Sequence, residues 1–489
     1  MKLFVLLFIA FAMFSLFFES GKSIFEEYQY MHQSLLNLSE KAMIIRDGNP
    51  PRYENAGFMY APFVIISVLI FKNPILASSI VSSLVLTLFI RQFIDNFSIP
   101  GIIGLTILIF NPLTFFLATQ RFDFLTFYVL FTISVYYAVR HITEGFSLPA
   151  FISGMALGVL FFVDFRALIA APLFAVGLWL STIGRERAYI LAITIVKLTP
   201  IVFFFLMWMY INWVFLKDPL HFIRSPYSVF ISDGGDSIKV DFIELVLCSF
   251  LIGITYFFVL ALLLKRGVAL GFYILPLLVF YLIPALIITL SFKMDIFMPY
   301  VNLGVFLGFF AFMFWLWLGS PKPVIYLTLS FSSLLMSALL TINSGEDNER
   351  FFVRALLGLK TDKSLSVKEE IETANAIKNI GCEKVLTDDN FNYGVVYFYG
   401  SPKKFIMPYN YEFFSYLSFP KYHVDCLLIN KTKRRDLVLR RFPKANIGFV
   451  KGYYLAFEGE KFMIYVRTGG TQDVEQERDS SNAWNRGFP

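Results

Sequence analysis

Long, nearly unbroken apolar runs separated by short polar turns dominate the first two thirds of this chain. Runs long enough to cross a bilayer occur at 2–18, 74–90, 99–118, 123–139, 148–163, 165–183, 188–216, 241–264, 268–291, 296–318 and 323–341, which predicts about eleven transmembrane helices. The run 58–71 is short for a span and carries a proline at its fifth position, so it predicts an interfacial or re-entrant helix. After 341 the pattern becomes charged and mixed. The stretch KEEIETANAIKNI at Lys368–Ile380 has helical periodicity, whereas 395–399, 424–429, 446–450 and 462–466 read as short strands. The expected architecture is an α-helical polytopic membrane domain over 1–341 with a small C-terminal α/β soluble domain over 342–468. A tail at 469–489 without apolar periodicity is expected to be disordered.

Composition supports the membrane reading. With 57% hydrophobic and 16% charged residues, 489 residues cannot clothe a soluble globule in polar surface. The net charge of +6 is modest and carries no nucleic-acid footprint; its meaning lies in where the loops put it. If Lys2 is cytoplasmic, the short inner turns hold Arg91, Arg140, Arg185 with Arg187, Lys265 with Arg266, and Lys322, as the positive-inside rule expects. Counting 58–71 as a span would move all of these outside. The same topology makes the C-terminal domain extracytoplasmic and leaves outer loops at 19–73 and 217–240. The basic start and apolar core of the N-terminus resemble a signal peptide, but without a clear small-x-small cleavage site they predict an uncleaved first span. Of three cysteines, Cys382 and Cys426 could pair in an oxidising compartment; without a dense framework, free thiols are the expectation.

The opening loop carries the first candidate chemistry. Glu26 and Glu27 follow the first apolar run on the outer side, where a carboxylate can deprotonate an acceptor hydroxyl or simply be solvated. Asp123, after Gln120 and Arg121, can orient a substrate hydroxyl, bind a metal, pair with Arg121, or complement a helix N-terminus. Asp164 and Arg166 lie between two apolar runs with almost no loop, and each is the other's first-choice partner; a structural pair and an anion site are both open. His221 and Arg224 sit three apart in the 217–240 loop, where a lipid phosphate would meet them, and Lys197 falls inside a long apolar run. There is no Walker A loop, no H-E-x-x-H, no G-x-S-x-G and no paired Cys/His set, which disfavours an ATP-driven pump, a zinc protease and a serine hydrolase.

In order, Glu26-Glu27-Tyr28-Gln29-Tyr30, Gly48-Asn49-Pro50-Pro51-Arg52-Tyr53, Tyr60-Ala61-Pro62-Phe63, then Pro112 and Gln120-Arg121-Phe122-Asp123 form a series. It resembles the GT-C superfamily of integral-membrane glycosyltransferases, in the branch with protein O-mannosyltransferases and aminoarabinose transferases, over roughly residues 1–240. Glu replaces the usual Asp at 26, Arg52 precedes the turn tyrosine, and Ala61 replaces the first proline. The resemblance implies a base at Glu26 or Glu27, Asp123 as a second acid, and a substrate site including Tyr30, Tyr60, Gln120, Arg166, His221 and Arg224. It further implies a polyprenyl-phosphate sugar as donor and a glycan, lipid or protein as acceptor, in a multi-pass protein of the cell membrane. No cofactor is called for, although Asp123 leaves room for a divalent metal. The rival expectations are a transporter or flippase for a lipid-linked glycan, whose signature of repeats is not seen, and a non-catalytic assembly or receptor protein.

Overall fold

The computed structural model describes residues 2–92, 99–145, 147–168, 171, 186–225, 335, 347–361 and 365–468. The predicted spans at 241–264, 268–291, 296–318 and 323–341, most of 165–183, and the tail 469–489 lie outside the described residues. The protein is mostly helical, with a small sheet in its C-terminal region. Its elements divide into two units, one built from Met1–His32 and Phe58–Leu365, the other from Gln33–Gly57 and Ser366–Pro489.

The chain begins with α1 (Lys2–Tyr28), which runs ten residues beyond the apolar stretch that predicted it. Local interactions carry it onward: Ser20 donates to the Leu16 carbonyl at 2.8 Å, Lys22 and Glu26 pair one turn apart, and Gly21 lets the helix approach Ile75 and Thr119. Gln29, at φ 50°, ends it. Helix α2 (Gln33–Asp47) belongs to the second unit, and the Asn49–Pro50 bond after it is cis. The 58–71 run forms α3 (Pro62–Phe71), whose ten residues extend about 15 Å at 1.5 Å per residue, half a bilayer core.

The first unit continues through α4 (Pro74–Arg91), α5 (Ile99–Ile109), α6 (Pro112–Gln120), α7 (Phe122–Glu144), α8 (Ser147–Val163), α9 (Arg187–Leu216), α10 (His221–Arg224) and α11 (Asp347–Leu356). Asn73 and Asn111 cap α4 and α6 with their side-chain oxygens, each followed by a proline whose missing N–H costs nothing at the first helical position. Pro112 thereby breaks the predicted run 99–118 into two helices that meet at 58°. Among the described residues four helices are long and apolar enough to cross a membrane: 2–28, 74–91, 122–141 and 187–216. A fifth appears if the bent pair counts as one; α8, at 17 residues, is shorter.

These helices pack as lipid-embedded helices do, through small residues and interhelical hydroxyl bonds. Ser78 and Ser82 of α4 donate to the Thr119 and Ala118 carbonyls of α6 at 2.8 and 2.9 Å. Ser134 of α7 and Ser153 of α8 each donate to the other's carbonyl at 2.8 Å. On α8, Gly154 and Gly158 face α9 so closely that a methyl group would meet Lys197 backbone at 3.1 Å and Pro200 at 2.8 Å. Lys197 itself is buried and donates to the Ala138 carbonyl of α7, so it is turned inward and does not snorkel. Apolar side chains face outward along α1 and α9, with Phe4 75%, Phe11 66%, Phe203 59% and Tyr210 61% exposed, a pattern compatible with membrane insertion.

The second unit adds α12 (Lys368–Ile380), β1 (Val385–Leu386), α13 (Asp389–Tyr399), β2 (Phe405–Ile406), α14 (Phe413–Ser418), α15 (Pro420–His423), β3 (Cys426–Asn430), α16 (Leu437–Arg441), β4 (Tyr453–Glu458) and β5 (Phe462–Arg467). The five strands form one mixed sheet in the order β2-β1-β3-β5-β4; β1 is parallel to β2 and β3, and the β3/β5 and β5/β4 pairs are antiparallel. One apolar cluster joins Met43 and Ile44 of α2, Ala374 and Ile377 of α12 and Val395 and Val396 of α13 to one face of the sheet. On the other face Phe413, Val438 and Leu439 of the short helices and Ala445 of the 3-10 turn Pro443–Ile447 pack over Leu427 and Ile429. The unit is thus a three-layer α/β sandwich.

Helix 368–380 and strands at 426–430 and 462–467 match the sequence reading, but two of its strands do not form. VVYFY at 395–399 is helical although β-branched and aromatic, because Asp388 caps the start, Gly400 at φ 88° closes the end, and Val395 and Val396 are buried in the cluster. Residues 446–450 hold the end of a 3-10 turn and a lone bridge from Val450 to Tyr453; the strand falls instead at Tyr453–Glu458. The expectation of free thiols is also corrected. Cys382 and Cys426, with α-carbons 6.0 Å apart, form a disulfide between the end of α12 and β3.

Ionic groups tie α2 into this unit. Lys41, 3% exposed, bonds Asp389 in the first turn of α13 and lies 3.3 Å from Glu40, which is wholly buried. Burial, only partly opposed by the Lys41 charge, pushes the Glu40 carboxyl up to about 8. At the C-terminal ends of β1 and β3, Asp388 caps α13 and Asp436 caps α16, and burial beside Asp389 and Asp436 pushes Asp388 up to about 7.

Candidate functional site

The ionic centre of the first unit gathers where α6 ends, α7 begins and α8 gives way to residues 164–166. Arg121 ends α6 at φ −138° and ψ 51°, and its guanidinium clamps Asp123, in the first turn of α7, through Nε at 3.1 Å and Nη2 at 2.9 Å. Asp164 accepts the Arg166 backbone N–H at 2.8 Å and holds the Arg166 guanidinium through Nε and, at 2.6 Å, Nη2. Both guanidiniums lie against the ring of Phe124, at 3.6 Å for Arg121 and 4.8 Å for Arg166. All four charged side chains are at least 85% buried. Such burial is tolerated because each charge has a bidentate partner. In both arginines the Asp takes Nε and Nη2, which leaves Nη1 without a protein partner among the described residues. A pair of fixed, balanced cations with spare donors is suited to an anionic oxygen.

The segment after α1 lines this centre. Gln120 accepts the His32 backbone N–H at 2.9 Å, while its own Nε2 is buried without a partner. Burial first, and then the Arg121 charge, push the His32 imidazole down to about 3, so it is neutral. Tyr30 is buried, stacks on Phe351 at 4.6 Å and donates to the Asn348 side chain at 3.3 Å. Its hydroxyl is pushed well above the usual phenol range by burial and by Glu349, which is itself buried on α11. Five of the residues singled out from the sequence, Tyr30, Gln120, Asp123, Asp164 and Arg166, therefore share one electrostatic neighbourhood.

The other candidates stand apart from it in role. Glu26 and Glu27 occupy the last turn of α1 and not a loop; both are exposed, and Glu26 has Lys22 at 3.9 Å. Tyr60 is half-buried just before α3. His221 and Arg224 share the single turn of α10, where Arg224 is 67% exposed and pairs loosely with Asp218 at 3.7 Å. The remainder of the 217–240 loop lies outside the described residues. No contact among the described residues joins Glu26, Glu27, His221 or Arg224 to the Arg121–Arg166 centre. His32 and Glu349 were not anticipated; His32 lay within the polar stretch after the first helix, but nothing local marks Glu349, which long-range packing brings in. Among the described residues no three His, Cys, Asp or Glu side chains are grouped to hold a metal ion. No known family, curated protein or solved structure matches this chain.

Proposed function

We propose that the protein is a polyprenyl-phosphate-sugar-dependent glycosyltransferase of the GT-C kind, with about eleven spans, acting on a glycan, lipid or protein acceptor at the extracytoplasmic face. The observation that carries the reading is the pair of Asp-clamped guanidiniums, Arg121 and Arg166, whose free Nη1 donors suit a phosphate emerging from the lipid. In the proposed reaction Glu26 or Glu27 takes the proton of an acceptor hydroxyl as its oxygen bonds the sugar C1. The bond from C1 to the phosphate oxygen breaks, and the arginines stabilise the charge arriving on the polyprenyl phosphate. Asp123 holds Arg121 in place, and Tyr30, Tyr60 and Gln120 shape the sugar site, with His221 and Arg224 as a second phosphate contact. The Cys382–Cys426 disulfide supports an oxidising, extracytoplasmic location for the second unit.

A second reading, a transporter or flippase for a lipid-linked glycan, draws on the 58° break between α5 and α6, since transporters build sites at interrupted helices. Proteoliposomes loaded with a radiolabelled polyprenyl-phosphate sugar and offered acceptor extracts separate the two. The glycosyltransferase predicts label in acceptor, reduced about 100-fold or more in a Glu26→Gln/Glu27→Gln double variant, the usual scale for removing a general base. Label that changes leaflet without changing carrier defeats the enzyme reading, and full transfer by the double variant defeats the assignment of the base.

A further inference from the structure

The two outer layers of the second unit differ in charge. In the layer that includes α12 the charges are balanced, for Glu370 pairs with Lys461 and Glu372 with Lys368, and Lys378 lies on the same helix. The layer formed by α14, α15, α16 and the 443–447 turn is cationic. Residues 431–451 within it contain eight Lys or Arg and a single acid, Asp436, which is buried as a helix cap. Arg440, Arg441 and Lys444 are exposed and have no carboxylate partner among the described residues; Arg441 reaches the Ser418 carbonyl at 3.5 Å. That contact ties α16 to α14, and Arg467 to the Lys421 carbonyl at 3.2 Å ties the sheet to α15. The inward residues of these elements fill one apolar cluster, so their other sides form one surface.

That surface is also unusually apolar. Phe414 is 63% exposed, Phe419 62%, Tyr422 78% and Ile447 79%. Of the acids that adjoin these helices in sequence, Asp425 is already paired with Arg467 at 3.1 Å, which leaves exposed Glu412 against Arg440, Arg441 and Lys444. Exposed aromatics interleaved with unpaired cations are what an anionic bilayer interface selects: rings seat at headgroup depth while Arg and Lys meet phosphate. The chain connections favour this partner over others. Four residues separate the end of α1 from Gln33, and four separate Gly57 from Pro62, so each tether, five residue steps long, reaches at most about 17 Å from a membrane-compatible helix end.

We propose that the outward surface of α14, α15, α16 and the 443–447 turn docks on anionic lipid headgroups, with Phe414, Phe419, Tyr422 and Ile447 inserted and Arg440, Arg441 and Lys444 against phosphate. The test uses the full chain with Cys248→Ser, in nanodiscs of phosphatidylcholine with or without phosphatidylglycerol. A fluorophore is attached at Ile447→Cys, or at Asn379→Cys on α12 as the control face, and doxyl-labelled lipid is the quencher. Docking predicts quenching at 447 and not at 379, in the anionic discs and not in the neutral ones, relieved at high salt without any further substitution. Reversing Arg440, Arg441 and Lys444 to Glu lowers the docking equilibrium by at least about 100-fold, from about fivefold per cation near an anionic surface compounded over three. Equal quenching at both positions, or quenching at 447 indifferent to lipid charge and salt, overturns the proposal. Salt-sensitive binding of a labelled oligonucleotide without lipid quenching overturns it in favour of a nucleic-acid partner.

Discussion

Glu40 makes the second unit lose stability as pH rises, and Glu40→Gln should abolish that loss. The carboxyl is fully buried, and its cationic neighbour Lys41, at 3.3 Å, is shared with Asp389. Its folded pKa is about 8, against 4.5 for the ordinary group. The folded state therefore keeps a proton that the unfolded chain has released between those two values. For a raised carboxyl the stability is fully present below the ordinary pKa and is lost as pH rises toward the folded one, at up to about 1.4 kcal/mol per pH unit. Between pH 5 and pH 8 the single group accounts for about 4 kcal/mol. Asp388, raised to about 7, acts in the same direction and accounts for a residual slope that fades near neutrality. Amide hydrogen exchange of β3 and β5 in the full chain, corrected for intrinsic rate, reads the opening free energy of this unit at each pH. The wild type should lose protection from pH 5 to pH 8, and Glu40→Gln should lose about 4 kcal/mol less. Equal slopes in the two proteins, or protection that rises with pH, would refute the burial argument.

Two further outcomes follow from packing and covalent structure. Cys382→Ser with Cys426→Ser opens a loop across a sequence separation of 44 and should destabilise the second unit by about 4 kcal/mol on the chain-entropy account, seen as a lower unfolding midpoint that reductant reproduces in the wild type. Gly158→Leu drives a side chain into Pro200 and Phe204, which a methyl alone would meet at 2.8 and 2.9 Å; detergent-solubilised protein should lose thermal stability, while Leu157→Ile beside it is tolerated to within about 1.5 kcal/mol.

Much of the helical domain was legible from the chain because an apolar run is a local property. The bilayer-length stretches at 74–90, 123–139 and 188–216 each became a helix with nearly those bounds. Where the reading missed, a local signal was outweighed by another force. α1 ran on through Glu26 because Lys22 and Gly21 suit a helix packed on α4, and VVYFY coiled because caps and burial outweighed β-propensity. In the site, Asp164 with Arg166 and Arg121 with Asp123 were within reach of sequence reasoning, since each pair lies two residues apart.

By itself the sequence determined the long apolar helices compatible with membrane insertion, the shortness of α3, and the amphipathic α12, all consequences of which residues are neighbours along the chain. The tertiary structure alone decided that residues 33–57 join the C-terminal unit through Lys41 and Asp389, and that Cys382 meets Cys426. It also decided that Tyr30 stands beside Glu349 and Arg121, and that Gln120 accepts from the His32 backbone. Those pairings span tens to hundreds of residues, and their stability comes from burial and partner geometry that exist once the chain has closed upon itself.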